Sequence, residues 1–113
     1  MTAANSNTIP AIEVEDLQRQ LQDPATPFIL DVREPHEVAL CAIAGSCNIP
    51  LGQLPQRAQE LPRDRMIVAH CHHGGRSARA AQWLRQQGFE NVVNLTGGIE
   101  AWALRVDPKM ERY

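Results

Sequence analysis

Cys71 is the residue best placed to do chemistry in this 113-residue chain. It closes an apolar stretch, Met66-Ile67-Val68-Ala69-His70, and His72-His73-Gly74-Gly75-Arg76-Ser77 follows it. An apolar run of this kind predicts a buried strand, and the residues after Ser77 carry a helical pattern. The thiol should therefore sit at a strand end, beside the N-terminus of a helix. There the helix dipole and nearby N–H groups favour thiolate over thiol. Gly74 and Gly75 permit backbone angles that other residues resist. Successive N–H groups can then turn inward and form an anion-binding nest. Arg76 adds a fixed charge with a planar fork of donors. Ser77 can satisfy the first free N–H groups of the helix. An isolated cysteine is more often a small buried group than a nucleophile. The Gly-Gly-Arg-Ser context and the helix behind it reverse that default.

The elements that must position this loop can be read from periodicity. Ile9 to Ile12 predicts a short strand. Val14, Leu17 and Leu21 recur at helical spacing, and Asp23-Pro24 ends that helix. Phe28-Ile29-Leu30 predicts a strand that stops at Asp31. Glu34 to Leu40 is weakly helical, Ser46 to Ile49 extended, and Leu51 to Leu61 a short helix. Met66 to Ala69 is the most apolar strand. A helix follows over Ser77 to Gln87, ended by Gly88. Val92 to Leu95 is a further strand, and Ile99 to Leu104 a further helix. Strands that alternate with helices and are apolar on both faces imply an α/β fold: a parallel sheet covered by helices on both sides. In such sheets sites form beyond the carboxyl ends of the strands, which is where Asp31 and Cys71 fall. One domain is expected over 9–105, with a flexible N-terminal tail at 1–8 and a C-terminal tail at 106–113.

The formal net charge of -2 gives no long-range reason to seek nucleic acid or an anionic membrane. No apolar run approaches a membrane span. Met1 to Asn7 has no apolar signal core, and the three cysteines are too few and too irregular for a disulfide framework. A reducing cytoplasm is the expected setting. His70, His72 and His73 flank the thiol, but adjacent residues do not easily converge on one tetrahedral metal, so no metal is expected. An exposed loop role is the default for His72 and His73, with tuning of donor choice as the alternative. Cys41 and Cys47 read as small buried groups, with resolution of an oxidised Cys71 as the alternative. Asp31 and Arg33 suit a local ion pair after a strand, or a place on the rim of the site. Glu37 reads as a charge on a helix face.

Four separate segments also resemble a known family, in that family's order. Cys71-His72-His73-Gly74-Gly75-Arg76-Ser77 resembles the active-site loop of rhodanese-type single-domain sulfurtransferases. Leu30-Asp31-Val32-Arg33-Glu34 resembles their upstream signature. Asn48-Ile49-Pro50 and Leu95-Thr96-Gly97-Gly98-Ile99-Glu100-Ala101-Trp102 resemble two further segments. The likeness covers about residues 9 to 105. Ala101-Trp102, Asp107-Pro108 and Tyr113 also resemble the rhodanese domains fused to ubiquitin-activating-like adenylyltransferases. One departure is Cys41-Ala42-Ile43-Ala44-Gly45, where the family often has Gly-His-Ile-Pro-Gly.

The resemblance implies a five-stranded parallel sheet and a two-step sulfur transfer without a cofactor. Cys71 would take a sulfane sulfur from a small anionic donor such as thiosulfate, forming a persulfide. A thiol, cyanide or a sulfur-carrier protein would then accept it. By the same analogy the loop amides from His72 to Ser77 hold the persulfide, while Arg76 orients the donor. Two rivals stand beside this reading. Cysteine-dependent phosphatases and arsenate reductases of related fold place five residues between their cysteine and arginine. Here there are four, a ring better sized for one sulfur than for a tetrahedral oxyanion. A non-catalytic binding module is the second rival, and Cys71, Gly74, Gly75 and Arg76 all argue against it.

Overall fold

The computed structural model describes residues 9–113, so the expected tail at 1–8 lies outside the described residues. Five strands form one parallel sheet: β1 (Ala11–Ile12), β2 (Phe28–Asp31), β3 (Cys47–Asn48), β4 (Ile67–His70) and β5 (Val92–Leu95). Their spatial order is β1-β5-β4-β2-β3. The chain moves outward from β4 to β5 on one side and from β2 to β3 on the other. The adjacent pair β2 and β4 therefore flanks the switch point, and the crevice beyond their carboxyl ends is the natural site. Asp31 pairs in register with His70, which sets the β2 exit beside Cys71.

Helices α1 (Val14–Gln20), α2 (Pro35–Val38), α3 (Leu54–Arg57), α4 (Gly75–Gln86) and α5 (Gly98–Arg105) complete the fold. Side chains alternate across each strand, and this parity divides the core in two. Ile67, Ala69 and Cys71 join Leu30, Ala80, Ala81 and Leu84 on the α4 side. Val68 joins Val14, Leu17, Ile29, Val93, Ile99 and Trp102 on the α1 and α5 side. Parity alone thus turns the Cys71 side chain toward α4. All four residues of β4 are buried, as a central strand covered on both faces requires.

Three expectations change. The single helix expected over Leu51 to Leu61 is broken into 3-10 turns at Leu51–Gln53 and Ala58–Glu60 around α3. Pro55 lacks the N–H that a continuous helix would use there. The helix α4 starts at Gly75 rather than Ser77. Only Gly74 of the glycine pair takes a left-handed angle, φ 119°, while Gly75 is already helical. The C-terminal segment 106–113 folds back on the domain. Val106 and Met110 pack against the second core, and Tyr113 returns to the cysteine loop.

Candidate active site

The loop after β4 folds back over its own cysteine. Cys71 is only 1% exposed. Its Sγ receives the Gly74 N–H at 3.1 Å and the Ser77 N–H at 3.4 Å. The Ser77 hydroxyl lies at 3.4 Å from Sγ, but at 2.5 Å from Asn94 Oδ1. A hydroxyl has one proton to give, so the two backbone N–H groups are the fixed donors. Burial pushes the Cys71 pKa up, and donors from Ser77, Gly74 and His73 more than offset it, so the net shift is downward. Donors aimed at sulfur favour its charged form.

The loop is braced from behind. At the start of α5, Ile99 N–H donates to the Cys71 carbonyl at 2.9 Å and Glu100 N–H to the His72 carbonyl at 3.1 Å. This approach requires glycine at position 98. A Cβ there would stand 2.5 Å from the His72 oxygen and 2.6 Å from the Cys71 oxygen. Asn94 of β5 adds a third brace, its Nδ2 donating to the Gly74 carbonyl at 3.2 Å.

Asp31 and Arg33 face each other, both buried, with Arg33 Nη2 at 2.7 Å from Asp31 Oδ2. Arg33 also donates to the carbonyls of Glu37 and Cys41 and to the Tyr113 hydroxyl. Asn48 Nδ2 donates to the carbonyls of Asp31 and Arg33, each at 2.9 Å. These residues fix the neighbouring loop, with Asp31 and Arg33 joined as an ion pair. His70 is fully buried, and among the described residues neither ring nitrogen meets a partner in good hydrogen-bond geometry. Burial pulls its pKa down to about 4, against the pull of Asp31 at 3.7 Å, so its ring is neutral near pH 7.

Arg76 stands differently from expectation. Its Nη1 and Nη2 grip Glu37 Oε1 and Oε2 at 2.7 and 2.9 Å. Glu37 is therefore not a helix-face charge: it is buried, and Arg76 holds its pKa down to about 2. Tyr113 donates its hydroxyl to Glu37 Oε2 at 2.9 Å. The Tyr113 ring stacks on His72 at 3.9 Å between centroids, and His72 stacks on His73 at 4.0 Å. Sequence reasoning missed Glu37, Asn94, Gly98 and Tyr113 as partners of the cysteine loop. Cys41 and Cys47 are both free and partly exposed.

The geometry is that of a buried thiol in a cradle of amides at a sheet switch point, and comparison with known proteins gives it a family. The family model of the Rhodanese-like domain matches residues 13–105. The chain belongs to the rhodanese-like family. Among its relatives is a sulfurtransferase of Allochromatium vinosum, 40% identical over 92 residues, covering 81% of this chain and 86% of the relative. Another is the chloroplastic Rhodanese-like/PpiC domain-containing protein 12 of Arabidopsis thaliana, 38% identical over 109 residues. That match covers 90% of this chain but 36% of the Arabidopsis protein. Sulfurtransferases joined to adenylyltransferases are relatives as well, in line with the resemblance at Ala101-Trp102 and Tyr113. The crystal structure of a rhodanese-related protein from Thermoplasma volcanium superposes with a TM-score of 0.79 at 38% identity. It covers 86% of this chain and 93% of that one. The five-stranded parallel α/β rhodanese-like fold is thereby established. No helix among the described residues is long and apolar enough to cross a membrane.

Proposed function

We propose that this rhodanese-like domain is a sulfurtransferase that carries sulfur as a persulfide on Cys71. One observation supports this most: two backbone N–H groups of a tight loop converge on a buried Sγ whose pKa is lowered. The Cys71 thiolate attacks the outer sulfur of thiosulfate. A new S–S bond forms, the bond to the sulfonate sulfur breaks, and sulfite leaves with the electron pair. A thiophilic acceptor then attacks the outer sulfur of the persulfide, and Cys71 departs as thiolate. The acceptor is a thiol, cyanide or a sulfur-carrier protein. The low pKa serves both steps, since it makes a thiolate available and later a good leaving group.

The loop size favours sulfur over phosphate, because four residues between Cys71 and Arg76 make a narrow ring. Arg76 is gripped by Glu37, so we assign the holding of the anion to the amides of the loop from His72 to Ser77. Arg76 shapes that loop and sets the field around it.

The test is direct. Incubation with thiosulfate should add one sulfur atom to the intact protein by mass, and Cys71→Ser should add none. Parallel incubations with 3-mercaptopyruvate and a protein persulfide rank the donors. Absence of sulfur loading from all three, together with hydrolysis of a phosphate ester, overturns the proposal.

A further inference from the structure

The buried thiol poses a problem of access. A concavity of about 430 Å³ runs along α4, lined by Leu51, Leu54, Pro55, Arg79 and Trp83, but Cys71 is not in its wall. At the loop itself, residues from both ends are tied together through side chains from outside the loop. His72, at the beginning of the loop, stacks on the Tyr113 ring, with 11° between planes. Arg76, at its end, is joined to Glu37. The Tyr113 hydroxyl closes the circuit through Glu37 and accepts from Arg33 Nη1 at 3.0 Å. One side chain thus bridges the rim after β2 and the rim after β4.

We propose that Tyr113 is a specificity-determining gate of the Cys71 site, setting the size of the donor and acceptor that reach the sulfur. In the closed arrangement a small anion is hindered less than a bulky thiol or protein acceptor, which must first displace the tyrosine. The role in sulfur transfer rests on the function proposed above; the gating of Cys71 does not. The bridge is built to open. Tyr113 is 37% exposed, and the backbone before it is anchored in the core no later than Met110. Between these points the tail is held by the Arg112 and Glu100 ion pair, an exposed contact of a weak kind. A ring stack with two hydrogen bonds can bias a closed-to-open population about tenfold.

The test reads access rather than sulfur transfer. The reduced protein is alkylated with iodoacetamide and with a maleimide bearing a polyethylene glycol chain, and the adduct at Cys71 is quantified by peptide mass mapping. In Tyr113→Ala the bulky reagent should react about five- to tenfold faster, while the iodoacetamide rate stays within about twofold. Tyr113→Phe keeps the stack and loses the hydroxyl bridge, so it should fall between the parent and Tyr113→Ala. Unchanged rates with both reagents overturn the proposal. So does an equal rise with both, which would mark a loosened fold or a shifted thiol pKa. Failure to load sulfur from thiosulfate would count against the proposed function alone and leave the gating result standing.

Discussion

Gly98→Ala should dislodge the cysteine loop although residue 98 makes no contact with Sγ through its own side chain. The glycine has φ +61°, and an L-residue in the left-handed region costs about 1 kcal/mol. The added Cβ would meet two backbone oxygens at 2.5 and 2.6 Å. Carbon and oxygen seldom approach within about 3.3 Å, so the loop must retreat by roughly 0.8 Å. Backbone oxygens have no rotamer through which to escape. That retreat stretches the Ile99-to-Cys71 and Glu100-to-His72 hydrogen bonds, each worth about 1 kcal/mol. The sum is about 3 kcal/mol, which for a domain of this size lowers the melting temperature by roughly 10–15 °C. A sub-ångström displacement of a nucleophile can cost up to about 100-fold in rate. Gly75→Ala is the control, because its Cβ meets nothing within 4 Å and its φ is not positive. Denaturant unfolding and the rate of persulfide formation from thiosulfate should both separate the two variants. If Gly98→Ala loses under about 1 kcal/mol and reacts within twofold of the parent, the α5 brace does not position the thiol.

Two further outcomes follow from the charges. The iodoacetamide rate at Cys71, plotted against pH, should show its inflection below that of a free cysteine thiol titrated alongside, because the Ser77, Gly74 and His73 donors outweigh burial; an inflection at or above that of the free thiol contradicts the cradle. Glu37→Gln should destabilise the protein by only about 2 kcal/mol at neutral pH, since the Arg76 side chain is 35% exposed and solvent can partly hydrate it once freed. The folded Glu37 pKa is depressed to about 2 from an ordinary 4.5. Its contribution is therefore complete above pH 4.5 and is lost as pH falls toward 2. Urea unfolding at several pH values should show parent and variant converging toward the acid end, and a gap that stays constant with pH would refute this account.

The sheet was legible because burial leaves a local trace. The run Ile67 to Ala69 is apolar on both faces, and its parity carries through to the side on which Cys71 lies. The loop was legible because its donors are adjacent in sequence. The partners that arrive from a distance were not. Glu37 meets Arg76 across 39 positions, and its own neighbours give it the look of any carboxylate in a short helix. Tyr113 meets Glu37 across 76 positions, at the end of a polar segment with no periodic pattern. Asn94 did leave a signal. An amide inside the apolar run Val92-Val93-Asn94-Leu95 must find partners, and here they are Gly74 and Ser77. Gly98 was visible as part of a turn, but the carbonyls that forbid a side chain there belong to another loop.

The way the cations are used bears on how an anion is recognised. Arg33 is fully buried and spent on Asp31, two carbonyls and Tyr113. Arg76 is held in a two-pronged grip by Glu37. His70 is neutral near pH 7, and burial lowers the pKa of His72 as well. The nearest full positive charges are thus matched by carboxylates before any donor arrives. What remains unmatched by side chains is the dipole of the loop and of α4, directed at one sulfur through the N–H groups of Gly74 and Ser77. A site built in this way discriminates by distance and direction more than by net charge. On the function proposed above, it suits an adduct that grows by a single atom on Cys71, and the narrow loop, rather than the arginine, is then the element that favours sulfur over phosphate in this chain.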